Sequence, residues 1–165
     1  MERRVFKMCG LEILRAWITE NAGILFRLLF AGYLLVLTIM DIRTRKLHLG
    51  ILLSGFPLAV AGRIAVGNIP AALVIAGGAS GGLFVIVSRV TEEAFGYGDS
   101  ILITITGIFL GIWDLLSMLA ASFFLAAVFS GIMLSRKRYT RKSSFPFVPF
   151  LAVAYLIGVL IGGYG

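Results

Sequence analysis

Long apolar stretches separated by short polar segments dominate the chain. Six such stretches occur, at roughly residues 22–40, 47–66, 69–90, 100–113, 115–134 and 145–161. A helix that crosses a bilayer needs about 20 predominantly apolar residues, and all but the fourth stretch come close to that length. The pattern predicts an all-α, polytopic membrane protein with about six transmembrane helices.

The first 21 residues follow a different pattern. Apolar residues recur there at helical spacing, and most basic residues lie on the opposite side. The apolar stripe consists of Val5, Cys9, Ile13, Ala16 and Trp17. Such a segment is typical of a helix that lies in the membrane interface. We therefore predict an amphipathic interfacial segment over residues 1–21 and one membrane-embedded domain over residues 22–165.

The composition agrees with insertion into a membrane. The 165 residues are 59% hydrophobic and 14% charged, whereas a soluble domain has about 25% charged residues. A chain of this size has too little interior to bury so many apolar side chains, which argues against a soluble enzyme. Basic loops that orient the helices explain the net charge of +7, so the expected partner is lipid and not nucleic acid.

The basic residues are distributed unevenly between the two sides. The loops after the first, third and fifth stretches contain nine of them: Arg43, Arg45, Lys46, Arg89, Arg136, Lys137, Arg138, Arg141 and Lys142. The opposite side has five, of which four lie in the N-terminal segment. Basic residues accumulate in cytoplasmic loops. We therefore predict a multi-pass protein of the cytoplasmic membrane with these three loops in the cytoplasm.

The eight acidic residues are the main candidates for chemistry. Three lie in the N-terminal segment, where we expect water to solvate them. The others are Asp41, Glu92, Glu93, Asp99 and Asp114. An acid at a membrane boundary is costly to bury, so each of these five is a candidate site residue. The alternative for each is an interfacial side chain or a helix cap.

Topology separates these candidates. Asp41 follows the first stretch and Asp99 follows the third, which places both on the same face of the membrane. Asp114 lies fifteen residues beyond Asp99, about 22 Å along a helix, and so belongs at the opposite surface. Gly96 and Gly98 precede Asp99, where they permit unusual backbone conformations and let a substrate approach. The alternative for Asp99 is an N-cap of the next helix.

Two aspartates held together can share one proton, as in aspartic proteases. The charged carboxylate then activates water as a general base, and the protonated one polarises the amide carbonyl. Other side chains offer no comparable chemistry. His48 is the single histidine and Cys9 the single cysteine, so no metal site is expected.

Three segments carry a family resemblance. Residues 41–47 read Asp-Ile-Arg-Thr-Arg-Lys-Leu, residues 96–99 read Gly-Tyr-Gly-Asp, and residues 145–151 read Phe-Pro-Phe-Val-Pro-Phe-Leu. Glycines also recur in residues 107–111, directly after the second segment. In order and spacing these segments resemble the motifs of the type IV prepilin peptidases and their archaeal preflagellin relatives. Those proteins are membrane aspartic proteases of the Gly-x-Gly-Asp class.

The resemblance implies that Asp41 and Asp99 are the catalytic pair of an aspartic endopeptidase that needs no cofactor. It also implies a prepilin-like substrate whose short basic leader is cut at the cytoplasmic face. The cysteine-bearing domain of larger, methylating relatives is absent here, so cleavage without methylation is expected. Glu92 and Glu93 share the face of the aspartates and are possible contacts for the leader, because Arg43 would repel it.

Two positions depart from the family pattern. Ile101 stands where the family has a lysine, and His48-Leu49 stand where it has Pro-Asn. A non-enzymatic assembly or transport subunit with the same fold is therefore the main alternative. A presenilin-type intramembrane protease also has Gly-x-Gly-Asp, but its first aspartate lies within a helix, whereas Asp41 adjoins a basic turn.

Overall fold

The computed structural model describes residues 2–44, 48–66, 70–90, 96–135 and 146–164. The regular structure in these ranges is entirely α-helical. The helices are α1 Glu2–Thr44, α2 Leu49–Leu53, α3 Gly55–Val66, α4 Ala71–Val90, α5 Tyr97–Leu110, α6 Ile112–Ser135 and α7 Val148–Ile161. Only Ser54 separates α2 from α3, so these two form one broken helix. The prediction of an all-α membrane protein is confirmed.

Two helical segments are long and apolar enough to cross a bilayer. They are Asn21–Thr44 within α1 and the whole of α6, each with 24 residues. The shorter apolar helices are Leu49–Ala65, Ala71–Ile86, Tyr97–Leu110 and Val148–Ile161. Large apolar side chains such as Ile64, Leu83 and Leu160 are exposed on their outer faces, and apolar patches of this kind are typical of surfaces that meet lipid.

Helix α1 continues without interruption through the boundary predicted near residue 21. Its 43 residues extend for roughly 65 Å at 1.5 Å per residue. The N-terminal segment is therefore continuous with the first apolar stretch and does not form a separate helix. The interfacial location of residues 1–21 stays a prediction.

The break between α2 and α3 has a local cause. Pro57 has no amide hydrogen, so the carbonyl four residues earlier loses its helical donor. At this break the hydroxyl of Tyr33 on α1 donates to the carbonyl of Leu52 at 2.8 Å. Gly55 lies beneath Tyr33, and a Cβ at this glycine would collide with the tyrosine hydroxyl. Helix α1 therefore stabilises the broken helix at the break.

Helices α4 and α5 make the most extensive helix–helix contact among the described elements. Gly77 lies against Gly107, and Gly81 lies against Thr104, so closely that a Cβ on either α4 glycine would overlap α5. Small residues are typical of membrane helices whose backbones approach closely. These glycines therefore determine how near α5 lies to its neighbour.

Aromatic rings fill the middle of the bundle. Phe30 of α1 stacks on Phe109 of α5 with ring centroids 4.3 Å apart. It also contacts Tyr155 of α7 at 5.4 Å. These rings separate two polar ends of the bundle. At one end α1 terminates and α5 and α7 begin, and this end contains Asp41 and Asp99.

Candidate active site

Asp41 lies on the buried side of α1, one turn before the end of the helix. The buried stripe on this side consists of Phe30, Leu34, Leu37 and Asp41, spaced by three or four residues. Asp41 is 8% exposed, whereas the nearby Ile39 and Ile42 are 56% and 58% exposed. The helix therefore turns an acid toward protein and apolar side chains outward. A functional acid in a membrane protein is expected to have this arrangement.

Asp99 occupies the first turn of α5. This helix begins at Tyr97, and its N-cap residue is Gly96, so Asp99 is the third helical residue and not the N-cap. The Ser100 amide donates to the Gly96 carbonyl at 3.2 Å, which closes the first turn. The helix starts three residues before the predicted apolar stretch because this turn is built from polar and small residues that the hydropathy pattern does not include.

The carboxylates of Asp41 and Asp99 lie close enough to interact electrostatically. They come from different helices, one from the end of α1 and one from the beginning of α5. The shared face predicted for these two residues therefore corresponds to one end of the bundle. Two neighbouring carboxylates can hold a single proton between them, which provides a base and an acid at the same place.

The N-terminus of α7 adds a third element to this site. The backbone amide of Val148 donates a hydrogen bond to Oδ2 of Asp41 at 3.3 Å. Val148 is the first residue of α7, and Pro149 follows it. A proline is tolerated in the first turn because amides there have no helical acceptor. The sequence indicated that a helix starts near this motif, but it contained no signal for the contact with Asp41.

The glycines before Asp99 act differently from the prediction. Gly96 is extended, with φ −64° and ψ 137°, and Gly98 is helical. The described glycines with positive φ are Gly111 and Gly162. Neither glycine therefore uses the conformational freedom that the sequence permits, and the approach of a substrate at these positions stays a prediction. The missing side chain at Gly96 leaves room for the Asp99 carboxylate, because a Cβ at Gly96 would lie 3.3 Å from Oδ2 of Asp99.

The remaining predicted positions have different outcomes. Glu92 and Glu93 lie outside the described residues, so their contact with a leader stays a prediction. Ile101, at the position of the family lysine, is partly buried against the core. His48 is exposed at the start of α2. Within the described ranges, no group of three or more His, Cys, Asp or Glu side chains could hold a metal ion.

Asp114 belongs to the opposite end of the bundle. Its charge interacts with those of Arg27 on α1 and Arg63 on α3. The Tyr155 hydroxyl donates to the Arg27 carbonyl at 3.0 Å, and Arg63 donates to the Phe109 carbonyl at 3.4 Å. We call these four side chains, Arg27, Arg63, Asp114 and Tyr155, the far-end cluster. It connects α1, α3, α6 and α7 away from the aspartate pair, in agreement with the predicted separation of Asp114.

The fold and this site define a helical membrane protein with an acidic centre at one end of its bundle. A family model described as the type IV leader peptidase family matches residues 28–131, which include both aspartate motifs. The match covers more than half of the chain, so the protein belongs to this family and is a leader peptidase of the prepilin type. Comparisons with curated proteins and with solved structures found no match.

Proposed function

We propose that this leader peptidase is an aspartic endopeptidase of the cytoplasmic membrane. It removes the short leader of prepilin-like precursors at the cytoplasmic face. The observation that carries the proposal is the proximity of Asp41 and Asp99 in a chain of the leader peptidase family. Amide hydrolysis needs a general base and a general acid, and two neighbouring carboxyl groups with one shared proton supply both.

The reaction begins with one carboxylate ionised and the other protonated. The ionised carboxylate takes a proton from water, whose oxygen attacks the scissile carbonyl carbon. The protonated partner gives its proton to the carbonyl oxygen, which forms a neutral tetrahedral diol. The C–N bond then breaks as the amine takes the first proton, and a diol hydroxyl returns a proton to the second carboxylate. Both residues regain their starting states, and one water is consumed.

The position of the pair suits a precursor with a polar leader and an apolar helix. Asp41 is one turn from the end of α1, and Asp99 lies in the first turn of α5 at the same end of the bundle. Both carboxylates are therefore at the depth where the apolar helix of a precursor would end and its polar leader would begin. The bond between leader and helix would then be near the two carboxylates.

The alternative is a catalytically divergent assembly or transport subunit. The observation in its favour is Ile101, which is partly buried against the core at the position of the family lysine. A subunit of this kind would tolerate replacement of both aspartates. The peptidase would not, because each aspartate has a chemical role.

The test is the processing of a co-expressed prepilin-like precursor by full-length variants. We expect Asp41→Asn, Asp41→Ala, Asp99→Asn and Asp99→Ala each to reduce cleavage by at least about 100-fold, the usual contribution of a general acid or base. Asp114→Asn is the matched control, because it removes an acid at the opposite end and should leave cleavage intact. Normal processing by either Asn variant of the pair would contradict the proposal.

A further inference from the structure

We propose that Val148 is a positioning residue whose backbone amide holds Asp41 as the ionised general base, which leaves Asp99 as the proton donor. This inference rests on the proposed function and assigns separate roles to its two aspartates. The observation behind it is the hydrogen bond from the Val148 amide to Oδ2 of Asp41 at 3.3 Å.

The first turn of α7 directs one amide hydrogen toward the site. Amides at the start of a helix have no acceptor within the helix. Pro149 has no amide hydrogen, and the amides of Phe150 and Leu151 donate to the Phe147 carbonyl at 3.1 and 3.3 Å. The Val148 amide donates to Asp41 instead. In this first turn of α7, the Val148 amide is therefore the one that donates to the Asp41 carboxylate.

This hydrogen bond favours a negative charge on Asp41. An ionised carboxylate accepts a hydrogen bond from an amide more strongly than a neutral acid does. The beginning of a helix also carries partial positive charge, but Asp99 lies in the first turn of α5 and has the same benefit, so the difference between the two aspartates rests on the hydrogen bond. Val148 is fully buried, so competition from water for this bond is reduced.

Within the described part of the chain, Asp99 has no equivalent hydrogen-bond donor. It lies in the first turn of its own helix, but no backbone amide of the described residues donates to its carboxylate, and the charge that acts on it is that of Asp41. When one proton is shared between unequal sites, the site without a donor keeps it. Asp99 is therefore the protonated member that polarises the scissile carbonyl.

The other titratable groups of the described residues do not alter this asymmetry. On the elements around Asp41, beyond residue 21, they are Arg27, Tyr33 and Arg43 on α1, Tyr97 and Asp99 on α5, Arg63 on α3, Tyr155 on α7 and His48 before α2. Tyr33 donates to the Leu52 carbonyl, Tyr97 is exposed, and Arg27 belongs to the far-end cluster. Arg63 and Tyr155 bond to backbone carbonyls in or beside the far-end cluster. His48 and Arg43 are exposed, so water screens their charges.

The test replaces the Val148 amide by an ester in the full-length protein. Valine is exchanged for its α-hydroxy analogue, which removes the amide hydrogen and keeps the side chain. The matched control is the same exchange at Leu151, whose amide donates to the Phe147 carbonyl and not to Asp41. Cleavage of the precursor is then measured as a function of pH for both esters and for the unmodified protein.

We expect the Val148 ester to move the acidic limb of the pH–activity profile upward by about one pH unit or more, the usual effect of losing a hydrogen bond to a charged group. The base is then protonated at a higher pH, while the basic limb, which follows deprotonation of Asp99, stays near its original position. The Leu151 ester should leave both limbs in place.

Two outcomes would overturn the inference. An upward shift of the basic limb alone would show that Asp41 carries the shared proton, so the roles would be reversed. Unchanged limbs would show that the Val148 amide does not act on the base. Neither outcome affects the proposed function, which fails only if the Asn variants of the pair cleave normally.

Discussion

The Val148 amide lies 3.3 Å from Oδ2 of Asp41, and this hydrogen bond connects positions that are 107 residues apart in the chain. It joins the aspartate at the end of α1 to the proline-containing segment that begins α7. The segment therefore has a direct relation to the site, although it lies outside the range 28–131 that matches the family model.

The proximity of the two aspartates can be measured directly. In a protein with Cys9→Ser, we expect the pair Asp41→Cys and Asp99→Cys to be joined efficiently by a short bifunctional thiol reagent. The control pair combines Asp41→Cys with Asp114→Cys and should stay unlinked, because Asp114 interacts with Arg27, which lies about 21 Å from Asp41 along α1. The chain is then cut at a protease site between the two cysteine positions, and electrophoresis measures the fraction of molecules whose two fragments stay joined. Equal yields for the two pairs would show that the aspartates are not neighbours.

The space beside Asp99 can be tested at Gly96. A Cβ there would lie 3.3 Å from Oδ2 of Asp99, so Gly96→Ala should push the carboxylate away from its preferred rotamer. Such a displacement costs about 0.5–1.5 kcal/mol, and we expect kcat to fall about 2- to 10-fold. Gly82→Ala is the control, because a Cβ at that glycine meets nothing within 4 Å. If Gly96→Ala retains full kcat, the glycine does not serve to accommodate Asp99.

The close contact between α4 and α5 can be tested by measuring how a substitution at this contact changes the stability of the protein. A Cβ at Gly77 would overlap the backbone of Gly107, so Gly77→Ala should force the two helices apart. Overpacking of this kind typically costs about 1–3 kcal/mol, which should lower the thermal unfolding midpoint in detergent. Gly32→Ala serves as the comparison, since its surroundings are open. Equal midpoints for the two variants would mean that this contact does not limit stability.

The predicted contacts between the leader and Glu92 and Glu93 can be tested by removing the negative charges of these two side chains. If Glu92 and Glu93 bind a basic leader, the double change Glu92→Gln and Glu93→Gln should raise KM about 3- to 10-fold, because exposed ion pairs contribute about 0.2–1 kcal/mol each. The chemistry at the aspartates should be unaffected, so kcat should be unchanged. A precursor with a neutral leader is the matched substrate and should show no difference between the two enzymes. A KM effect of equal size on both leaders would argue against an ionic contact.

Helix boundaries show where prediction from hydropathy loses accuracy. The apolar pattern places the fourth stretch at residues 100–113, but α5 begins at Tyr97 and ends at Leu110. Hydropathy does not register a first turn made of polar and small residues, although that turn has normal backbone hydrogen bonds. The division of the second stretch at Ser54 was likewise not predicted, even though Pro57 is visible in the sequence.

The candidate site was predictable only in part. Asp41 and Asp99 could be selected because both follow odd-numbered apolar stretches and must lie on one face. The amide of Val148 could not, because every non-proline residue has such a group and only the position of α7 directs this one at Asp41. The pairing of Asp114 with Arg27 and Arg63 also depends on three helices whose arrangement the sequence does not specify.

The pattern of apolar residues along the chain is enough to predict apolar helices, and it places the acids outside the N-terminal segment at the ends of the apolar stretches. The physical reason is that backbone amides and carbonyls in lipid must be satisfied within the same segment, so each apolar run has to be helical. The packing of the helices, in contrast, determines which helix ends meet, that α7 donates to Asp41, and that Asp114 lies apart from the other two aspartates, beside Arg27 and Arg63. Those choices depend on packing between helices that are distant in the sequence, where glycines such as Gly77 and aromatic rings such as Phe30 set the distances and the orientation.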